Sequence, residues 1–149
     1  MNDEKTALGQ KILKIKRRLG LSWEDVGRAL GHAPVWSCAA CLGQMSMTAE
    51  TAEKAASLFD LDAEEQALLE AIPYRGSLPG AVPTDPLIYR FYELIQVYGT
   101  TWKELIHEEF GDGIMSAIDF DMALERQPDQ KGDRVKITMS GKFLPYKRY

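Results

Sequence analysis

Cysteine is scarce in this chain: there are two among 149 residues, Cys38 and Cys41. Two cysteines build no disulfide framework, and a reducing, cytoplasmic setting is the expectation. Long apolar runs are missing too, so no transmembrane helix and no membrane partner are expected. The start, Met1-Asn2-Asp3-Glu4-Lys5, has no basic cluster followed by an apolar stretch, and no secretory signal is expected. Nor is there a basic excess: the net charge is -4 and the isoelectric point is about 5.2. Nucleic-acid binders carry a basic footprint, so that class is disfavoured. Internal repeats and low-complexity tracts are not visible. What is there, 45% hydrophobic and 27% charged residues in 16.7 kDa, is the composition of a globular protein. The length suits one ordinary domain or two small ones. A half-length domain buries little apolar surface, so self-association is an expectation from size alone.

The hydrophobic pattern divides the chain. Residues 1–71 read as a five-helix domain punctuated by glycine. Ile12, Leu13, Ile15 and Leu19 form the stripe of the first helix, and Gly20 stops it. Ser22 with Asp25 resembles a capping box opening a second helix, which Gly31 ends. A third helix is expected from Pro34 to Leu42, a fourth from Ala49 to Phe59 behind Thr48, and a fifth opened by Asp62 with Glu65. Residues 72–85 are rich in proline and read as a stiff linker. Asp85-Pro86 then starts a strong helix, expected to end at Gly99. Thr101 with Glu104 suggests a further short helix to about Glu109, and Gly111-Asp112-Gly113 a sharp loop. From Phe120 the period changes to two. Phe120, Met122 and Leu124 define one strand and Val135, Ile137 and Met139 a second, with Ser140-Gly141 expected as a turn. The expected fold class is α+β, with residues 86–149 as a C-terminal helix-plus-two-strand domain.

Residues 21 to 43 look like a helix-turn-helix, and the N-terminal half resembles phage-repressor DNA-binding domains. A recognition helix should offer Arg, Lys, Asn or Gln to base edges. This second helix reads Ala33-Pro34-Val35-Trp36-Ser37-Cys38-Ala39-Ala40-Cys41-Leu42, with no charge and no amide. Acidic residues outnumber basic ones across residues 1–70, and the basic cluster Lys11, Lys14, Lys16, Arg17 and Arg18 lies on the first helix. A nucleic-acid partner is therefore not expected. Cys38 and Cys41, three apart on a helix, share a face. His32 and His107 do not have the paired spacing of a zinc motif, so no metal is expected. Two small packed residues are the simpler account of the pair, and a redox-sensitive couple is the other.

The C-terminal helix carries the candidate chemistry. Leu87, Ile88, Phe91, Leu94, Ile95 and Tyr98 share an apolar face, while Tyr89, Tyr92 and Gln96 fall opposite. Tyrosines where a surface helix would carry charge suggest a second contact surface, such as another subunit. Arg90 and Glu93 lie three apart on the strip between these faces. Two accounts stand: a solvated salt bridge, or a partly buried Arg beside a carboxylate that binds a small anion and manages a proton. Ser116 sits in an apolar stretch after two glycines. It is either a small residue satisfying its own backbone or a hydroxyl lining an anion pocket. A general-base His is not near Ser116 in sequence, so nucleophilic serine chemistry has no local support. His107 reads as a surface or packing residue.

Pro83-Thr84-Asp85-Pro86, Tyr89-Arg90-Phe91-Tyr92-Glu93, Gln96-Val97-Tyr98-Gly99-Thr100-Thr101, Phe110-Gly111-Asp112-Gly113-Ile114, Ser116-Ala117-Ile118 and Gly141-Lys142-Phe143-Leu144-Pro145 together resemble the cyanase (cyanate hydratase, or cyanate lyase) family. The N-terminal half is similar more loosely, through Leu42-Gly43-Gln44 and Leu58 to Asp62. The resemblance implies bicarbonate-dependent decomposition of cyanate through carbamate to ammonia and carbon dioxide. Bicarbonate serves as co-substrate, with no metal or organic cofactor. It implies Arg90, Glu93 and Ser116 as catalytic residues, and Ile114, Ala117 and Leu144 as pocket lining. It also implies a homodecamer built as a pentamer of dimers, with C-terminal strands interlaced across each dimer and sites between subunits. Two alternatives stand beside it: a helix-turn-helix-type regulator with an anion-sensing oligomerisation domain, and an inactive relative that only assembles.

Overall fold

The computed structural model describes residues 3–78 and 80–149. Met1 and Asn2 of the expected signal-free start, and Pro79 of the expected linker, lie outside them. Six helices precede a two-stranded antiparallel sheet, which is the expected α+β class: α1 (Asp3–Leu19), α2 (Trp23–Leu30), α3 (Pro34–Cys41), α4 (Ala49–Phe59), α5 (Ala63–Glu70), α6 (Pro86–Phe110), β1 (Gly113–Gln127) and β2 (Arg134–Pro145). The chain forms two compact units, Met1–Ser77 and Leu78–Tyr149. The start of the proline-rich segment belongs with the first: Pro73 is buried, and the Gly76 N–H donates to Gln44 Oε1 at 2.9 Å.

Local chemistry sets the helix ends of the first unit. Ser22 and Asp25 form a reciprocal capping box at α2, and Asp62 with Glu65 does the same at α5. Thr48 caps α4 through the Thr51 N–H at 3.2 Å. Gly31 ends α2 at φ 77°, in the left-handed region a glycine enters without strain. These ends aim the apolar faces inward. Leu8, Ile12, Ile15, Val26, Leu30, Ala40, Cys41, Met47, Ala52, Ala55, Phe59 and Leu69 close a single core. One cation is sealed at its margin. Lys5 is 7% exposed and its Nζ donates to the Ala71 carbonyl, tying the start of α1 to the end of α5.

The second unit is built differently. The expected break at Gly99 is absent, and α6 runs unbroken through Gly99-Thr100-Thr101 to Phe110. An interior glycine costs about 1 kcal/mol against alanine, less than ending and recapping a helix whose later residues favour it. Asp85 caps the start by accepting from the Leu87 and Ile88 N–H groups at 2.9 and 3.0 Å. The end is capped at Gly111, whose N–H donates to the His107 carbonyl at 3.0 Å. His107 Nδ1 in turn donates to the Gly111 carbonyl at 2.9 Å, while Lys103 Nζ donates to its Nε2 at 2.7 Å.

The strands are longer than the alternation suggested. Ser140-Gly141 is not a turn but lies inside β2, opposite Asp121 and Phe120. Pairing runs from Gln127↔Arg134 to Phe120↔Gly141, breaks, and resumes from Met115↔Phe143 to Gly113↔Pro145. Four residues of β1, Ser116 to Asp119, thus stand opposite Lys142 alone. A bulge of this kind lets β2 continue while β1 folds outward.

Among the described residues of the second unit, Gly113 and Ser116 alone are buried. Along α6, Leu87 is 68% exposed, and Phe91, Leu94, Ile95 and Tyr98 are also open, whereas Tyr89 and Tyr92 are half-buried. The apolar face expected to pack inward is therefore uncovered in a single chain, and the tyrosine side is the better covered one.

Burial of Lys5, with the Arg75 charge nearby, pulls its pKa below the ordinary lysine value of 10.5. Between the lowered value and 10.5 the unfolded chain binds the proton that the folded chain has lost, so this residue's contribution makes stability rise with pH there. Lys5→Met is expected to flatten that alkaline rise relative to the parent, measured as denaturant midpoints from pH 7 to 10.

Candidate active site

Arg90 and Glu93 project from the first turns of α6, one helical turn apart, with Arg90 Nη1 3.7 Å from Glu93 Oε2. The Arg90 guanidinium carbon lies 5.7 Å from the centre of the Tyr89 ring, within cation–π range. The two side chains are 63% and 52% exposed, so in one chain they form an open ion pair. An ion pair in water gains little. The same pair becomes a strong anion-holding element once solvent is excluded.

Ser116 is the opposite case. At 5% exposed it is the buried polar side chain of the second unit. Its Oγ accepts from the Ile118 N–H at 3.0 Å and from the Asp119 N–H at 2.9 Å. A serine hydroxyl has two acceptor sites and one donor. Both acceptor sites are used by the bulge's own backbone, which leaves the O–H to donate. Accepting two hydrogen bonds also polarises that O–H and strengthens it as a donor. The geometry thus keeps both sequence accounts: Ser116 satisfies its local backbone, and in doing so becomes a fixed donor.

Of the residues expected to line a pocket, Ile114 and Leu144 are direct cross-strand partners on the upper ribbon. Ala117 and Ile118 lie in the bulge, and Ile118 is 98% exposed. Among the described residues no hydrogen bond or ion pair joins Ser116 to Arg90 or Glu93. The structure therefore brings together Arg90 with Glu93, and Ile114 with Leu144, while the hydroxyl stands separately on β1. Sequence reasoning did not place the Ile118 and Asp119 N–H groups on the Ser116 Oγ, nor Gly141 inside a strand opposite Phe120. Backbone donors leave no mark in residue identity, and the strand period gave no warning of the bulge.

No group of three His, Cys, Asp or Glu side chains among the described residues could hold a metal. Among the described residues no helix is long and apolar enough to cross a membrane. On α3, Cys38 and Cys41 are free thiols, the first half-buried and the second in the core. Burial raises the Cys38 pKa above 9.0 and pushes Cys41 up to about 12. Raised thiols are poor nucleophiles, which favours the packing account of the pair.

The second unit thus offers an exposed Arg–Glu pair on α6 and one buried hydroxyl on β1, groups of the kind that hold small anions. Residues 5–73 match the family described as cyanate hydratase, N-terminal, and residues 80–148 the cyanate lyase C-terminal domain. The chain belongs to the cyanate lyase family. It is 59% identical over 146 residues to a cyanate hydratase of Polynucleobacter asymbioticus, covering 98% of this chain and 99% of that one. Over 138 residues it is 62% identical to a cyanate hydratase of Ralstonia pickettii, covering 93% and 94%. The crystal structure of cyanase from T. urticae superposes with a TM-score of 0.80 at 36% identity, covering 93% of this chain and 97% of that one.

The thiol chemistry is directly measurable. At pH 8, native protein treated with iodoacetamide is expected to leave Cys41 unmodified and to label Cys38 slowly, by peptide mass mapping. Rapid alkylation of both, or a mass loss of two hydrogens under mild oxidant, would restore the redox account.

Proposed function

We propose that this chain is a working cyanate hydratase whose reacting groups are Arg90, Glu93 and Ser116. The observation that carries the assignment is the Ser116 hydroxyl, buried and locked by two backbone N–H groups with its proton free to donate. Both substrates, cyanate and bicarbonate, are small anions. Bringing two anions together requires positive charge and preoriented donors in a closed space. Arg90 supplies the charge. Glu93, in ion-pair contact with it, orients the guanidinium and handles a proton. Ser116 donates to substrate oxygen or nitrogen, and Ile114, Ala117 and Leu144 wall the pocket.

Bicarbonate oxygen attacks the cyanate carbon, forming a C–O bond while the C–N π pair takes a proton. The bond between the bicarbonate carbon and the bridging oxygen then breaks, the oxygen keeping the electron pair and the bicarbonate proton passing to nitrogen, so that carbon dioxide leaves and carbamate remains. Protonation at nitrogen and cleavage of its C–N bond release ammonia and a second carbon dioxide. The complete turnover consumes two protons, one for each nitrogen-centred step. No metal or organic cofactor enters this scheme; side chains and backbone donors provide all the groups it uses.

One chain does not close the site. Arg90 and Glu93 are open, and α6 buries no residue. The proposed assembly is a homodecamer of five dimers with interlaced C-terminal strands, which would cover α6 and exclude water from the ion pair. Cytoplasmic location fits the free thiols. Nothing in the site favours the regulator alternative, whose recognition helix α3 carries no charged residue.

The deciding experiment is ammonia release from cyanate with and without added bicarbonate. Parent protein is expected to turn over in a bicarbonate-dependent manner, and Arg90→Ala and Ser116→Ala to lose on the order of 10²-fold or more in kcat. Turnover independent of bicarbonate, or full activity in Arg90→Ala, would sink the proposal. Light scattering is expected to give a native mass near ten times the 16.7 kDa chain. A monomer with full activity would contradict a site shared between copies.

A further inference from the structure

The bulge that presents Ser116 has a neighbour with no role in the chemistry so far. Gly141 lies on β2, paired with Phe120 at the lower edge of the bulge. Its backbone is not in the left-handed region, so conformational freedom does not explain a glycine there. Space does. A Cβ at Gly141 would fall inside contact distance of the Ser116 carbonyl oxygen, 2.6 Å from Met115 Cγ and 3.2 Å from Met115 Sδ. The first of these is backbone and cannot rotate away. Gly113, paired with Pro145 at the far end of the ribbon, is also close-packed: a Cβ there would sit 2.5 Å from Phe143 Cζ and 2.9 Å from Pro145 Cα. At the lower edge of the bulge the ribbon thus closes on the peptide of Ser116 itself.

We propose that Gly141 is a positioning residue for catalysis: its missing side chain lets β2 seat against the Ser116 carbonyl and so fixes where the Ser116 hydroxyl points. The inference rests on the assignment of Ser116 as a substrate donor. Any side chain at residue 141 must push the Ser116 peptide outward. The Ile118 and Asp119 N–H groups that hold Oγ lie within the same bulge. Displacing the peptide therefore moves the hydroxyl relative to its own backbone clamp. A donor misplaced by about 1 Å can cost on the order of 10²-fold in rate.

The test is a double-mutant cycle on the full-length protein, reading kcat and KM for cyanate and bicarbonate with native mass measured alongside. Gly141→Ala is expected to keep the parental mass and lose on the order of 10²-fold in kcat. Added to Ser116→Ala, it is expected to cost almost nothing further, because the group it positions is already gone. Ser140→Ala, an exposed neighbour paired with Asp121, is expected to leave kcat unchanged. Parental kcat in Gly141→Ala, or an equal loss in both backgrounds, overturns the proposal while leaving Ser116 in place. Full activity of Ser116→Ala alone overturns the Ser116 assignment and this inference with it. If Gly141→Ala does not assemble, Met115→Ala/Gly141→Ala removes the side-chain clash and keeps the one with the carbonyl. That variant is expected to assemble and remain impaired. Recovery of parental kcat would show that Gly141 acts through Met115, and failure to assemble would assign it to the fold; either result overturns the proposal.

Discussion

One long helix and a two-stranded ribbon enclose no interior. A sheet of two strands is marginal in water, and a helix needs a second layer against which to bury its stripe. Everything distinctive about the C-terminal unit follows from this constraint. Its apolar side chains lie open along α6 and both strands, while every buried apolar side chain among the described residues belongs to the N-terminal unit. At about 25 cal/mol per Å² of apolar surface removed from water, so much open apolar area is a strong drive toward association. An exposed patch of this kind on a folded protein marks an interface. The unit is therefore suited to being covered from outside, and the proposed reacting residues lie in it.

The same constraint separates two kinds of functional group. Ser116 is finished within the chain: it is buried, and both its acceptor sites are used by backbone N–H groups two and three residues ahead. Arg90 and Glu93 are unfinished, since both are more than half exposed. The arrangement suits a reaction between two anions. A hydroxyl donor must be oriented before substrate arrives, because reorientation during reaction costs catalysis. A guanidinium stays charged wherever it is, and its attraction for anions grows when water is removed. Fixing the neutral donor in the chain and leaving the charge to be desolvated puts the largest electrostatic gain where the site closes.

Much of this was legible in the residues, for reasons that differ by element. The N-terminal helices announce themselves because their ends are chemically marked: Ser22 with Asp25, Thr48, and Asp62 with Glu65 all cap as their spacing implies. Gly99 misled, because a glycine followed by a threonine–glutamate spacing looks like a helix boundary, yet α6 continues through it. Ser140-Gly141 misled in the same way: a serine–glycine pair usually turns a chain, but here the glycine makes room for the opposite strand. Helical spacing sets Arg90 and Glu93 side by side, as α6 has them, but their proposed reactive role comes from the family resemblance. The setting of Ser116 could not be read, because its partners are peptide N–H groups and its shape comes from a register break.

The N-terminal unit makes the complementary point. Its second and third helices have the order and short connection of a DNA-reading motif, and its core is complete without help. Yet α3 carries Trp36, Cys38 and Cys41 where a reader would carry amides or guanidinium groups, and burial raises the pKa of both thiols. The shape is kept while the chemistry that would read bases is missing, so shape alone assigns no role. The proposed function lies instead where the fold is least self-sufficient: on a ribbon tightened by Gly141 at one edge of its bulge, and on a helix whose charges stand open.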